Sequence, residues 1–293
     1  MKTTAILFQT ILLALLAPLV SGIIRKIKNN LRMRRGPGIL QPYYNIAKLL
    51  KKEETVSQNA SWIFSFTPYV VISSSITALL IVSTVVTSIS GGMGGLFALI
   101  FLFGLGRFFL AVAGLEAGSA FGGMGSSREM FISALSEPAF FVAVFAALIS
   151  QNPFSLSRLV AVAALFMVTI IETSRIPIDN QETHLELTMV HEAMVLEYSG
   201  RSLALIEFAS HVKQIVMFSL LFTLIYSFMP AGFIQMYSAT FYACFAGIIL
   251  SITGAVALIE VTVAKMRLFR VPDFTTFAFV LSGTALVLAA AGL

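Results

Sequence analysis

The sequence predicts an all-α, polytopic integral membrane protein with about eight transmembrane helices, and three observations predict it. Charged residues make up only 11% of the 293-residue chain, while hydrophobic ones reach 58%. A soluble domain carries about 25% charged residues to keep its surface in water. The apolar residues also gather into long uncharged runs, at 3–24, 55–106, 138–157, 214–259 and 274–293. A span needs roughly 20 apolar residues, so the second and fourth runs hold two crossings each. Finally, long charged linkers alternate with short polar ones, as they must when successive helices cross in opposite directions.

The spans fall at about 4–24, 66–88, 95–115, 129–150, 158–174, 205–228, 238–262 and 274–292, in one membrane domain over 1–293. The fifth is the shortest. The first carries only Lys2 on its N-terminal side, whereas residues 25–52 hold nine basic residues and no acid. Basic residues beside helix ends mark the cytoplasmic face. The first run is therefore expected to be a retained helix with its N-terminus outside. A cleaved signal peptide ending near Ser21-Gly22 is the weaker reading. Lys265, Arg267 and Arg270 repeat the basic mark in the last inner loop, and an even span count puts both termini outside the cytoplasmic membrane. Asn59-Ala60-Ser61 matches a glycosylation sequon but falls on the inner side. No internal repeat is visible, which removes the usual hint of an inverted-repeat transporter.

The single cysteine, Cys244, lies inside an apolar run. It can make no internal disulfide and cannot by itself hold an iron–sulfur cluster, which takes several thiolates. Any redox centre must belong to a partner.

Two inner loops carry motifs. In Arg34-Arg35-Gly36-Pro37-Gly38 the glycines and proline stop a helix. Pro42 then suits the first turn of another. Tyr43, Ile46, Leu49 and Leu50 share one face of it, with Lys48, Lys51 and Lys52 nearby. This is an amphipathic helix at the interface. Topology and lipid anchoring explain the loop, and a docking platform for a soluble partner explains it further.

Ionisable groups inside spans are costly and are candidate functional groups. Glu116, Glu137, Glu172, Glu207 and Glu260 all fall in the cytoplasmic half, with Arg107, Arg128 and Lys213 as possible partners. Glu137 precedes Pro138, which removes a helix hydrogen bond beside a carboxylate. The third inner loop, 172–201, is the densest in charge. If 179–198 form one helix, Asp179, Glu182, Glu186 and Glu197 share a face, and His184 and His191 lie opposite. Carboxylates crowded in a crevice can pass protons, whereas on a wet surface they are only a solvated acidic face. His184 and His191 stand seven apart, unlike a zinc protease pair, and no nucleophile constellation has recognisable spacing.

These loops resemble a known family. Arg35-Gly36-Pro37-Gly38 with Gln41, and Glu172…Arg175-Ile176-Pro177-Ile178-Asp179…Glu182…Glu186…Glu197-Tyr198-Ser199-Gly200, look like the NuoH family, the membrane subunit of respiratory complex I. Thr183-His184-Leu185-Glu186 and His191-Glu192-Ala193-Met194, with Ser126-Ser127-Arg128-Glu129, are closer to its branch in energy-converting NiFe hydrogenases of the formate hydrogenlyase, hydrogenase-4, Ech and Mbh types. The resemblance implies a membrane anchor and coupling subunit that is not itself catalytic. It would work with NiFe hydrogenase large and small subunits, an iron–sulfur protein and antiporter-like membrane subunits. The chain would hold no cofactor; the NiFe centre and iron–sulfur clusters would lie in those partners. The ion path, for H⁺ or Na⁺, would use Glu116, Glu137, Glu172, Asp179, Glu182, His184, Glu186 and Glu197. Docking would use Arg25, Arg34, Arg35, Gly36, Pro37, Gly38, Arg128 and Arg175. Two alternatives stay open: a quinone-site subunit of a complex I-type NADH dehydrogenase, and a stand-alone ion or solute transporter.

Overall fold

The computed structural model describes residues 2–56, 60–87, 93–150, 154–179, 189–228, 239–267 and 270–292. Among them are ten helices and no strand: α1 (Lys2–Leu31), α2 (Gln41–Leu50), α3 (Trp62–Thr87), α4 (Met93–Glu116), α5 (Ala120–Ile149), α6 (Leu156–Glu172), α7 (His191–Val195), α8 (Gly200–Tyr226), α9 (Ala239–Thr262) and α10 (Val271–Ala290).

Seven of these (α1, α3, α4, α5, α8, α9 and α10) are long and apolar enough to cross a membrane. The remaining expected span, α6, has 17 residues. That is about 25 Å at the helical rise, at the lower limit for a crossing. It is short because its C-terminus is stopped in the chain. The N–H of Ser174 bonds to the carbonyl of Ile171 and that of Arg175 to the carbonyl of Ile170. This is a Schellman turn, with Ser174 at φ +48° in the place glycine usually takes.

Two boundaries differ most from expectation. α1 continues past residue 24 through Arg25, Lys26 and Lys28, because long basic side chains are good helix formers and no breaker comes before Gly36. α5 starts at Ala120 rather than near 129. The Ser119 hydroxyl accepts a hydrogen bond from the backbone N–H of Gly122 at 3.1 Å and caps the helix there. The polar Ser126–Glu129 stretch, which reads as a loop, lies inside this helix. Pro138 is carried within α5 as well.

The expected helix over 179–198 is corrected. Within 189–198 only His191–Val195 is helical, and Asp179 lies outside any helix. The continuous helix that would set Asp179 and Glu197 on one face is therefore absent. Glu182, His184 and Glu186 themselves lie outside the described residues.

α8 sits at the centre, packed against α1, α2, α3, α6 and α9. Some 61% of its apolar stretch is buried, more than for any other candidate span. α10 packs on α5 and α6, and α3 on α4. α4 and α5 approach closely at Gly122, where a Cβ would come within 2.3 Å of the Gly114 carbonyl oxygen. That contact lets side chains on α5 reach across α4.

Candidate functional site

The segment from Glu172 to Asp179 contributes one group to each of three networks of buried charge, and α8 takes part in the first two.

The first centres on Arg107 of α4, which is 7% exposed. Its Nη1 donates to Glu137 at 2.7 Å, its Nη2 donates to Glu172, and its Nε lies 3.4 Å from Glu129. Glu129 and Glu137 stand eight positions apart on α5, about two turns, so both reach the same guanidinium. Glu172 ends α6. It also receives the Lys213 ammonium of α8 at 2.8 Å and the Ser136 hydroxyl at 3.0 Å. Three carboxylates thus share one guanidinium and one ammonium.

Beside this cluster is a cavity of about 60 Å³. A water needs roughly 10–15 Å³ of such space, so several fit. Its polar lining includes Ser74, Glu129, Glu172, His191, Ser210 and Lys213. A buried charge network next to a cavity with room for water can pass ions, because polar partners replace the solvent an ion would otherwise lose.

The second network lies between α1, α8 and α9. Arg175 donates to Glu260 at 2.8 Å and to Gln214 at 2.9 Å, and Lys28 reaches the other Glu260 oxygen at 3.0 Å. The Ser21 hydroxyl donates to Gln214 at 2.7 Å and lies 2.9 Å from His211 Nδ1. All these groups except His211 are buried below 9% exposure. In the third, Asp179 accepts the backbone N–H groups of Val190 and His191, each at 3.0 Å, and pairs with Lys265 at 2.8 Å. It thereby holds the start of α7.

The acids expected to line one path are thus divided. Glu137 and Glu172 meet at Arg107, and Asp179 forms its own site. Glu116 accepts the Ser61 hydroxyl at 2.5 Å, and no ion pair joins it to Arg107 among the described residues. Glu197 is exposed just beyond α7. Its neighbours are structural. Tyr198 stacks on Phe64 with centroids 4.0 Å apart and donates to the Phe64 carbonyl at 2.9 Å, while Ser199 bonds the Thr55 backbone. Burial pushes the Tyr198 phenol above its ordinary range, against the lowering effect of Thr67.

Among the docking residues, Arg34, Arg35, Pro37 and Gly38 are exposed, with Gly36 half-buried. The loop and α2 lie along α1: the Tyr43 hydroxyl donates to the Leu15 carbonyl at 2.5 Å. Arg25 is half-buried and acts electrostatically on Glu207 and His211 of α8. Arg128 turns inward and donates to the Met189 carbonyl at 3.0 Å, bracing the approach to α7. Arg175 is 8% exposed and committed to Glu260, so its expected place on a docking surface is corrected to the second network. A guanidinium that enters this apolar interior must take its hydrogen bonds there.

Sequence reasoning passed over Glu129. Its spacing from Glu137 was a usable signal, once the N-cap at Ser119 placed both on one helix.

The NADH dehydrogenase family profile matches residues 3–291. Formate hydrogenlyase subunit 4 of Escherichia coli is 30% identical, over 93% of this chain and 94% of its own. Hydrogenase-4 component C of the same organism is 34% identical, over 98% and 96%. An NADH-quinone oxidoreductase subunit of Syntrophotalea carbinolica is 28% identical, over 67% and 68%. A chain of the archaeal membrane-bound sulfane sulfur reductase, a respiratory membrane complex, shares the fold. Its TM-score is 0.81 over 97% of this chain and 98% of that one, at 17% identity.

Proposed function

The chain belongs to the NADH dehydrogenase family, and from that membership we propose that it is the membrane anchor and coupling subunit of a multi-subunit, energy-converting NiFe hydrogenase. It holds a soluble hydrogenase and iron–sulfur module against the cytoplasmic face, and it links redox events there to ion movement. One observation carries the coupling role: Arg107 ties Glu129, Glu137 and Glu172 together between membrane helices, beside a cavity able to hold water. Burying so much charge is expensive and makes a poor stabilising device. The hydrogenase branch is favoured over the quinone-reducing one by relatives matched over nearly their whole length, against two thirds for the quinone-type subunit.

Affinity purification tests the assembly. NiFe and iron–sulfur subunits arriving with the tagged chain support the reading, whereas a flavin-containing NADH module argues for the quinone-reducing type. Reversing charge with Arg34→Glu and Arg35→Glu is expected to release the soluble module while leaving the chain in the membrane. For coupling, Glu137→Gln or Glu172→Gln is expected to keep assembly and lower redox-driven ion uptake by inverted vesicles about a hundredfold, the low end of effects typical of proton-transfer residues. Wild-type uptake in both variants would remove the Arg107 cluster from the ion path.

A further inference from the structure

We propose that Lys213 is the proton-carrying residue of the Arg107 cluster, exchanging a proton between the water-accessible cavity and the Glu172 carboxylate, while Arg107 serves as a fixed charge. The inference rests on the coupling role proposed for this cluster and assigns its moving part.

The two cations that hold Glu172 differ in kind and in access. A guanidinium stays protonated in a protein, whereas a lysine ammonium gives up its proton when its surroundings favour the amine. Arg107 is locked: its side chain is 6% exposed and all three of its nitrogens face carboxylates. The Lys213 side chain is 22% exposed and lines the cavity. Its Nζ lies 2.8 Å from Glu172 Oε2, within direct transfer distance, and 5.4 Å from the centre of the Phe103 ring, whose face receives a cation.

The polar groups that line the same cavity come from the elements around it: Glu172 from α6, Glu129 from α5, Arg107 from α4, His191 from α7, and Ser74 and Ser75 from α3. From α1, Arg25 acts on Glu207 and His211, nearer the start of α8. Among the described residues lining the cavity, Lys213 combines a transferable proton, a carboxylate at hydrogen-bond distance and a partly exposed side chain.

The transfer balances simply. The ammonium loses one proton to the carboxylate, leaving a neutral amine and a neutral carboxylic acid. Arg107 then keeps Glu129 and Glu137 as its anionic partners. The amine takes a new proton from hydronium entering the cavity, and the carboxylic acid passes the first one to Glu137, which shares Arg107 with it and whose side chain, 38% exposed, releases it to water.

The test uses the assembled complex in inverted membrane vesicles, with Cys244→Ala as background. Lys213→Arg keeps the positive charge but cannot release its proton. It is expected to assemble, with proton uptake per electron transferred falling at least tenfold. Lys213→Cys treated with 2-bromoethylamine regains an amine of lower basicity at the same place. It is expected to recover proton uptake, with the alkaline limb of its pH profile moved to lower pH. A structural cation would give no such movement. Wild-type uptake by Lys213→Arg, or an unmoved profile in the alkylated variant, would overturn the assignment. Glu172→Gln separates the two levels: if it abolishes uptake while Lys213→Arg does not, the cluster couples and Lys213 is not its carrier.

Discussion

A guanidinium has three nitrogens, and at Arg107 each faces a different carboxylate. Removing that centre leaves three acids to one ammonium. Arg107→Met is expected to destabilise the solubilised protein by about 3–5 kcal/mol, as loss of one partner of a buried ion pair does. Arg107→Lys restores charge but not the three-way fork and should fall between. Thermal midpoints in detergent would rank the three proteins. The sequence showed Arg107 as a partner for intramembrane acids, but not which ones. Its acids lie 30 and 65 positions away at Glu137 and Glu172, and only helix packing selects among such candidates. Tyr198 gives a contrasting single-residue case. Tyr198→Phe keeps the stack on Phe64 and loses one buried hydrogen bond, at a cost of about 1 kcal/mol. Burial raises the phenol's proton affinity above the ordinary 10.0. Its contribution is therefore complete below pH 10 and lost as pH climbs through the raised value. Stability measured across that alkaline range should fall in the wild type by more than in Tyr198→Phe.

At the scale of elements, helix ends were harder to read than helices. Apolar runs announced each crossing, because lipid demands them. The ends depended on local chemistry that hydropathy does not register: Ser119 capping α5, and basic residues prolonging α1. The turn after α6 is the sharpest instance. Ser174 adopts a left-handed conformation at φ +48° that costs a residue with a Cβ roughly 1–2 kcal/mol. Ser174→Gly is expected to keep the turn and raise stability by about 1 kcal/mol, read as a higher thermal midpoint. The loop after α1 rests on an equally local device. At Gly22 a Cβ would come within 2.0 Å of the Ile39 carbonyl oxygen, so the backbone of the loop lies directly on α1. Gly22→Ala should lift that loop. Trypsin should then cut at Arg34 and Arg35 faster than in the wild-type membrane protein, with α1 still inserted.

For the whole molecule, charge asymmetry and the alternation of linkers made the architecture legible. The pairing of helices was not, since hydropathy says that a helix crosses and nothing about its neighbours. The candidate site was legible in its residue types and misread in its grouping: Glu137 and Glu172 meet at Arg107, whereas Asp179, expected on the same path, pairs with Lys265. The orientation can be checked directly. In a Cys244→Ala background, single cysteines at Arg35 and Ser127 are expected to react with an impermeant maleimide from the cytoplasmic side. Cysteines at Gly292 and Phe154 should react only from the other. Labelling of Phe154→Cys from outside and Ser127→Cys from inside would establish that α5 crosses.

The short stretch from Glu172 to Asp179 is bound at three points, by Glu172 to α4 and α8, by Arg175 to α8 and α9, and by Asp179 to Lys265 and the start of α7. A shift of this stretch would have to break several charge-assisted bonds at once, and half-shifted positions would strand buried charges. It therefore acts as a rivet through the helix assembly: none of the three sites can be loosened without straining the other two.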